Sequence, residues 1–457
     1  MKFEDLSFSE APRVTGELPG TKSKRLLEQQ RNTEGSALSY PRSMPIVMEK
    51  GRGATIQDVD GNIFVDFFGG AGVLAVGYCN PSVLEAVREQ QALITHTLDF
   101  PTKIRLELIE KLNSIMPKPL RDNIKVQFGG PTGSDAVEMA IKLSRYYTDR
   151  HSLIAFEGAY HGMTAGACSL NSGKFWKEKY IPLIPEVHFS PYAYCYRCVF
   201  NRTIDNCTRE CAEFYKHILD DPHSGVVHPA ATIIEPIQGE GGSIAPPNDY
   251  IKRIAETNQK YEVPLIIDEI QSGFCRTGKF FGFQHSGATP DIIPISKALG
   301  GGFPLSAIIY RKELDVWKKA AHIGTFRGNV SAMAAGVASI DFMIDHDLSN
   351  YAADIGNLIL TKLKKIEKTS EIVGDARGKG LMAGIEIVDN KETKKPSEKL
   401  AAEIRNQCFK RGILCEIGGH YSNVVRFLPP LIITKSMAGN AVDLIEESVV
   451  EVEIKNK

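Results

Sequence analysis

Short apolar, β-branched runs alternate with amphipathic stretches through the middle of the chain. From about residue 123 the order is regular. NIKVQFGG reads as a strand ending in glycines, and TGSDAVEMAIKLSRYY follows with the spacing of a helix. SLIAFEGAY, AATIIEPI, VPLIIDEIQ, DIIPISKAL and LSAIIYRK are further short runs, with helical or loop segments between them. Strands that are apolar on both faces need cover on both faces. The pattern therefore predicts an α/β fold with a mostly parallel sheet flanked by helices. Upstream, GRGATIQDVDGNIFVDFF reads as a hairpin turning at Asp60-Gly61-Asn62. Residues 81–116 carry helical spacing behind Pro81, and residues 1–35 read as a polar arm or a first helix. Beyond about residue 331 the texture changes to long amphipathic helices with a few strands, among them MAGIEIV and VVRFLPP. The expected division is 1–85 as an arm with part of a small domain, 86–330 as the large domain, and 331–457 as a smaller α+β domain.

Composition removes several function classes. Lys+Arg total 54 against 55 Asp+Glu in 457 residues, and no basic run stands out, so neither nucleic acid nor an anionic membrane is the expected partner. The N-terminus, MKFEDLSFSE, is acidic where a signal peptide needs an apolar core. No apolar run reaches the roughly 18 residues of a membrane span. A cytoplasmic protein is expected. Nine cysteines are too sparse for a disulfide scaffold and cannot all pair within one chain.

Four local signals then occur in order along the strand-rich region. Gly130-Pro131-Thr132-Gly133-Ser134-Asp135 lies at a strand-to-helix junction, where backbone N–H groups and the helix dipole favour an anion. A tight turn with a capping hydroxyl produces the same pattern. Asp268-Glu269 ends the run VPLIID, and the carboxyl end of an interior strand is where α/β folds bind ligands; a helix cap is the alternative. Lys297 follows a short apolar strand and precedes Gly300-Gly301-Gly302. Desolvation there makes an amine nucleophilic, although most lysines are simply solvated. Thr325-Phe326-Arg327-Gly328-Asn329 is a polar loop that says little by itself. Taken together, the signals describe one ligand. It has a phosphate for Gly133 and Ser134, a protonated ring nitrogen for Asp268, and an aldehyde for Lys297. Those are the features of pyridoxal 5'-phosphate (PLP).

The same stretches carry a family resemblance. DVDGNIFVDFFGGAGVLAVG, GPTGSDAVEMAIK, YHGMT, IIEPIQGEGG, IIDEIQSGFCRTG, ISKALGGGFPLSA, GTFRGN and VVRFLPPL resemble the class III (subgroup II) aminotransferases of PLP fold type I, from about residue 37 to about residue 445. The resemblance implies a seven-stranded sheet in the large domain. It implies that Gly133 and Ser134 bind the cofactor phosphate and that Tyr160 stacks on the ring. Asp268 would pair with the ring nitrogen, Gln271 would reach the ring hydroxyl, and Lys297 would carry the cofactor as a Schiff base. Thr325 would donate to the phosphate of a neighbouring subunit's cofactor, which makes a homodimer the active unit. Arg426 would bind a substrate carboxylate, and Glu240 would occupy that arginine when an ω-amine is bound. His161 is expected to pack behind the site rather than act as a base.

Within the family, VQFGGPTGSDAVE, HTLDFPTK and ELDVWKKAAHIGTFRGN resemble the 2,4-diaminobutyrate aminotransferases, which pass the 4-amino group to 2-oxoglutarate. An amine donor and a 2-oxo acid acceptor are the expected small-molecule partners. Met163 stands where 4-aminobutyrate enzymes usually have arginine, which argues against that substrate. A 4-aminobutyrate or ornithine-type enzyme, or a racemase or epimerase of the same family, remains an alternative; the racemases share the YCYRC stretch. A PLP-binding regulator would need a DNA-binding segment, and no basic helix-turn-helix stretch is present. Two stretches depart from the family pattern, Gly77-Tyr78-Cys79-Asn80-Pro81 and the cysteine-rich insertion at 193–212. In the insertion, Cys195-x2-Cys198 and Cys207-x3-Cys211 could hold a structural zinc or could be four packed thiols.

Overall fold

Runs in which nearly every residue is apolar or small enough to bury form the interior strands of one sheet. The computed structural model describes residues 2–456 and divides into two compact units, Ser82–Asn350 and Met1–Pro81 with Tyr351–Lys457. The unit Ser82–Asn350 contains a seven-stranded sheet built from β1 (Ile124–Phe128), β2 (Leu153–Phe156), β3 (Val187–Ser190), β4 (Ala231–Ile234), β5 (Leu265–Ile267), β6 (Ile292–Ile295) and β7 (Ala307–Arg311). The spatial order is β1-β7-β6-β5-β4-β2-β3. Only β7 runs against its neighbours, β1 and β6; the other pairings are parallel. The fold is the expected mixed α/β, mostly parallel sheet with flanking helices. The edge strand β3, with its half-buried VHFS, lacks the apolar run that marks the interior strands.

Helices α1 (Lys103–Ile115), α2 (Gly133–Thr148), α3 (Glu210–Asp220), α4 (Asn248–Lys260) and α5 (Val330–Asp345) belong to the same unit. The inner face of α2 buries Val137, Ala140, Ile141 and Leu143 in one cluster with Leu153, Ile233, Ile266, Ile292 and Ile308. Each such aliphatic side chain contributes about 1.5–3 kcal/mol by burial. The helical spacing over 81–116 resolves into Pro81–Leu93 and α1, with Pro101 in the break and Thr102 capping α1 through Arg105 N–H. The texture change near 331 falls inside this unit, because α5 packs on α1 and on the turn Lys297–Gly300. A Cβ on Gly336 would come within 2.6 Å of Leu299 O, so α5 lies directly against that turn.

The other unit contains the hairpin. Thr55–Asp58 pairs antiparallel with Ile63–Asp66. Asp58 closes the turn by accepting the N–H groups of Asp60 (3.0 Å) and Asn62 (2.8 Å), and Gly61 takes φ +89°. A second sheet joins Val373–Lys379, Met382–Asn390, Val424–Phe427 and Glu416–Gly418, with Glu398–Lys410 and Lys435–Lys455 as the main helices.

Candidate active site

In a parallel sheet the ligand crevice lies beyond the carboxyl ends of the strands. A cavity of about 190 Å³ opens there. Its lining residues come from separate strand ends. Gly133 and Ser134 follow β1, Tyr160, His161 and Gly162 follow β2, and Glu235 and Glu240 follow β4. Asp268, Ile270 and Gln271 follow β5, and Lys297 follows β6. Eight of the residues singled out in the sequence, His161 among them, are thus brought together. Thr325 is exposed on its loop and does not line this cavity. Arg426 belongs to the other unit, where it lies in Val424–Phe427 and is 2% exposed.

Gly133 and Ser134 form the first turn of α2. Asp135 steadies that end by accepting from Thr132 N–H (2.9 Å) and Thr132 OH (3.0 Å). Ser134 Oγ accepts from Met163 N–H at 3.1 Å, which binds the loop after Tyr160 to the helix start. Gly162 takes φ +125°, and a Cβ there would sit 2.0 Å from Ser134 Oγ. Only glycine fits. The positive end of α2, small residues and a hydroxyl suit a phosphate group.

Asp268 is 5% exposed and directly follows Ile267. Its Oδ1 accepts Ile270 N–H at 2.9 Å, and its Oδ2 lies 2.7 Å from His161 Nδ1. A carboxylate only accepts, so this contact fixes the imidazole proton on Nδ1. His161 is buried and stands behind the aspartate, as expected. Its Nε2 has no hydrogen-bond partner, and its own N–H is held by Asn171 Oδ1 at 2.6 Å. An aspartate oriented in this way suits a protonated ring nitrogen.

Lys297 opens the turn Lys297–Gly300 with φ +45°, a conformation that costs a non-glycine residue of order 1–3 kcal/mol. The turn holds because α5 backs it: Gly301, at φ +56°, has room for no Cβ beside Ser339 Oγ. The strain aims the lysine from the end of β6 into the cavity. A phosphate cradle, a ring-nitrogen partner and an amine in one crevice fit PLP.

Two buried glutamates were not singled out from the sequence as site residues. Glu235 ends β4 as Asp268 ends β5, and that parallel was the signal available. Burial raises its pKa to about 7; Asp268 adds to the rise and His161 opposes it. Glu269 is fully buried and also raised to about 7, first by burial. It accepts from Ser272 OH (2.6 Å), Gly282 N–H (2.9 Å) and Phe283 N–H (2.7 Å).

The cysteine insertion is built differently. Cys195 starts a short turn, Cys195–Arg197, and Cys211 lies buried in the first turn of α3. Cys207 Sγ accepts Arg209 N–H at 3.3 Å. Burial pushes the Cys211 thiol up to about 12. All nine cysteines are free thiols, and among the described residues no cluster of three or more ligating side chains is placed to hold a metal. Among those residues no helix is long and apolar enough to cross a membrane.

The family description "aminotransferase class-III" matches residues 38–449. A diaminobutyrate--2-oxoglutarate aminotransferase of Haemophilus influenzae is 40% identical, over 94% of this chain and 96% of that protein. An alanine/serine racemase of Pyrococcus horikoshii is 36% identical, over 97% of this chain and 94% of that protein. Among solved structures, a PLP-bound amine transaminase from an uncultivated Pseudomonas species superposes with a TM-score of 0.83 at 27% identity, over 92% and 98% of the two chains.

Proposed function

Since this chain belongs to the class III aminotransferases and is a PLP-dependent transaminase, we propose that it moves the 4-amino group of L-2,4-diaminobutyrate to 2-oxoglutarate, giving glutamate and an aldehyde. The observation that carries the reading is the convergence of Gly133, Ser134, Tyr160, Glu240, Asp268, Gln271 and Lys297 on one cavity, in a chain whose relatives include a diaminobutyrate enzyme over nearly its full length.

When bound, PLP supplies an electron sink for charge that develops on the carbon bearing the amine. The residues do the rest. Gly133 and Ser134 hold the phosphate, and Tyr160 covers the ring. Asp268, oriented by His161, keeps the ring nitrogen protonated, and Gln271 reaches the ring hydroxyl. Lys297 would hold the cofactor, and its Nζ would carry the proton to and from the substrate carbon. Arg426 receives the carboxylate of the oxo acid in a planar two-point contact. Glu240 occupies that arginine while the diamine reacts, so one site serves two differently charged substrates. Thr325 completes the phosphate site of a second copy, and the working form is a homodimer in the cytoplasm.

Single-turnover absorbance with a panel of diamines, ω-amino acids and α-amino acids tests the assignment. Diaminobutyrate should discharge the visible absorbance of the lysine-bound cofactor fastest, and 2-oxoglutarate should restore it. The identity to an alanine/serine racemase supports a second reading, a racemase. In that case alanine or serine would invert without lasting loss of the absorbance, and diaminobutyrate would leave it unchanged.

A further inference from the structure

Glu235 lies one residue beyond β4, lines the cavity and is 7% exposed. Its two carboxylate oxygens go to two different segments. Oε1 accepts the N–H of Tyr160 at 3.1 Å, and Oε2 accepts the N–H of Gly239 at 2.8 Å. The first segment carries the residue assigned to the ring face. The second carries Glu240, assigned to the arginine switch. Other contacts hold the same segments face to face. Gln238 Nε2 donates to Glu157 O at 2.7 Å, and a Cβ on Gly241 would lie 2.7 Å from Gly158 O. The Gly239 turn is closed by paired backbone bonds between Gln238 and Ile244, 3.0 and 3.1 Å long. Gly239 lies against Gln271, whose Oε1 would be 2.0 Å from any Cβ there. Below, the Tyr192 hydroxyl donates to Glu235 O (3.0 Å) and Pro236 O (3.3 Å), fixing the backbone from which the carboxylate projects.

We propose that Glu235 is a positioning residue: its carboxylate locks the Tyr160 segment to the Glu240 segment, so that the ring cover and the arginine switch keep one relative placement and donor selectivity depends on it. The proposal rests on the roles given above to Tyr160 and Glu240. A carboxylate is required because both partners are N–H donors. Glutamine can accept one bond, but its amide then opposes the other N–H, donor against donor. A purely structural glutamate would face away from the cavity, as Glu269 does. Glu269 is fully buried, accepts from Ser272, Gly282 and Phe283, and does not itself line the cavity.

The test compares Glu235→Gln with Glu269→Gln. In the apoenzyme, hydrogen exchange is followed in peptides covering 157–164 and 235–243. Glu235→Gln should speed exchange in both segments together by about tenfold, the scale of one lost hydrogen bond to a charged group. Glu269→Gln should leave both unchanged. In the holoenzyme, Glu235→Gln should lower the ratio of kcat/KM for diaminobutyrate over glutamate by about tenfold or more. Glu269→Gln should lower the melting temperature without moving that ratio. Loosening of one segment alone, or of neither, overturns the lock. An unchanged donor ratio despite joint loosening overturns its role in selectivity. If Glu235→Gln does not fold, wild-type apoenzyme serves instead. Exchange in the two segments, corrected for intrinsic rates, should change with one shared midpoint between pH 5.5 and 8.5. His161 and Asp268 are the charged groups that act on Glu235, so Asp268→Asn is run in parallel. Separate midpoints, or none, reject the lock. If wild-type protein ignores diaminobutyrate, the substrate reading fails while the exchange result still decides the lock.

Discussion

Two regions drew attention for their polar chemistry, and they are built on opposite principles. At the strand ends, polar side chains meet directed partners from other elements: His161 on Asp268, Ser134 under Met163 N–H, Glu235 between Tyr160 and Gly239. In the cysteine insertion, the thiols make weak local contacts, and Cys211 is held in its neutral form by burial. Reactivity therefore follows from how many elements converge on a group. The density of reactive residue types along the sequence does not predict it.

The largest break in that contrast comes at Lys297. Lys297→Ala should abolish turnover and leave PLP bound noncovalently; borohydride reduction followed by peptide mapping should place the label on Lys297 in the wild type and nowhere in the variant. Asp268→Ala comes next. It should fold normally and lose at least about a hundredfold in kcat, roughly 2.7 kcal/mol, with a changed cofactor spectrum. A near wild-type rate with an unchanged spectrum would remove Asp268 from the site. Arg426→Lys should slow the 2-oxoglutarate half-reaction by about tenfold more than the diamine half-reaction, because lysine lacks the planar fork. Stopped-flow measurement of each half separately reads this, and equal slowing refutes the switch.

A smaller effect separates stability from catalysis. The Glu269 carboxyl rises from 4.5 to about 7 on folding, so the folded state binds a proton that the unfolded chain has already released. Stability from this group is complete below about pH 4.5 and is lost as pH climbs through 7. Apoenzyme melts of wild type against Glu269→Gln should show the wild type losing up to ~3 kcal/mol relative to the variant over that window. A gap that is flat with pH contradicts it. Smallest of all, changing Cys195 and Cys198 to serine should leave both half-reactions within about twofold. A folded, PLP-loaded but inactive double variant would place the insertion in the chemistry, and stoichiometric zinc would give it a structural metal.

The sequence revealed those parts of the fold that bury uniformly. ATII and IIPI could only be interior strands, and Asp60-Gly61-Asn62 could only turn. The edge strand at Val187 was invisible because a strand open to water on one side needs no apolar run. The break between the two helices in 81–116 was hidden because apolar residues continue through it, at Ile94, Leu98 and Phe100. At the site, Asp268 and Lys297 were legible from their strand-end positions. Glu235 held the equivalent position but was passed over, because its partners are backbone N–H groups, which leave no trace in side-chain chemistry.

The scatter of the cavity wall along the chain has a consequence for how the protein matures. Its parts lie between Gly133 and Lys297 and meet only after six strands have taken their places, β7 among them because it joins β1 to the rest of the sheet. No fragment made early in synthesis can present the cradle, the aspartate and the lysine together. Pairings of such long sequence separation also form slowly. The vitamin-derived group can thus be captured only by a chain whose sheet is complete, and its binding then adds RT ln(1 + [L]/Kd) to the stability of that state alone. Loading with PLP becomes a late, selective seal on correctly folded molecules, and the yellow colour of a preparation should report the fraction that finished folding.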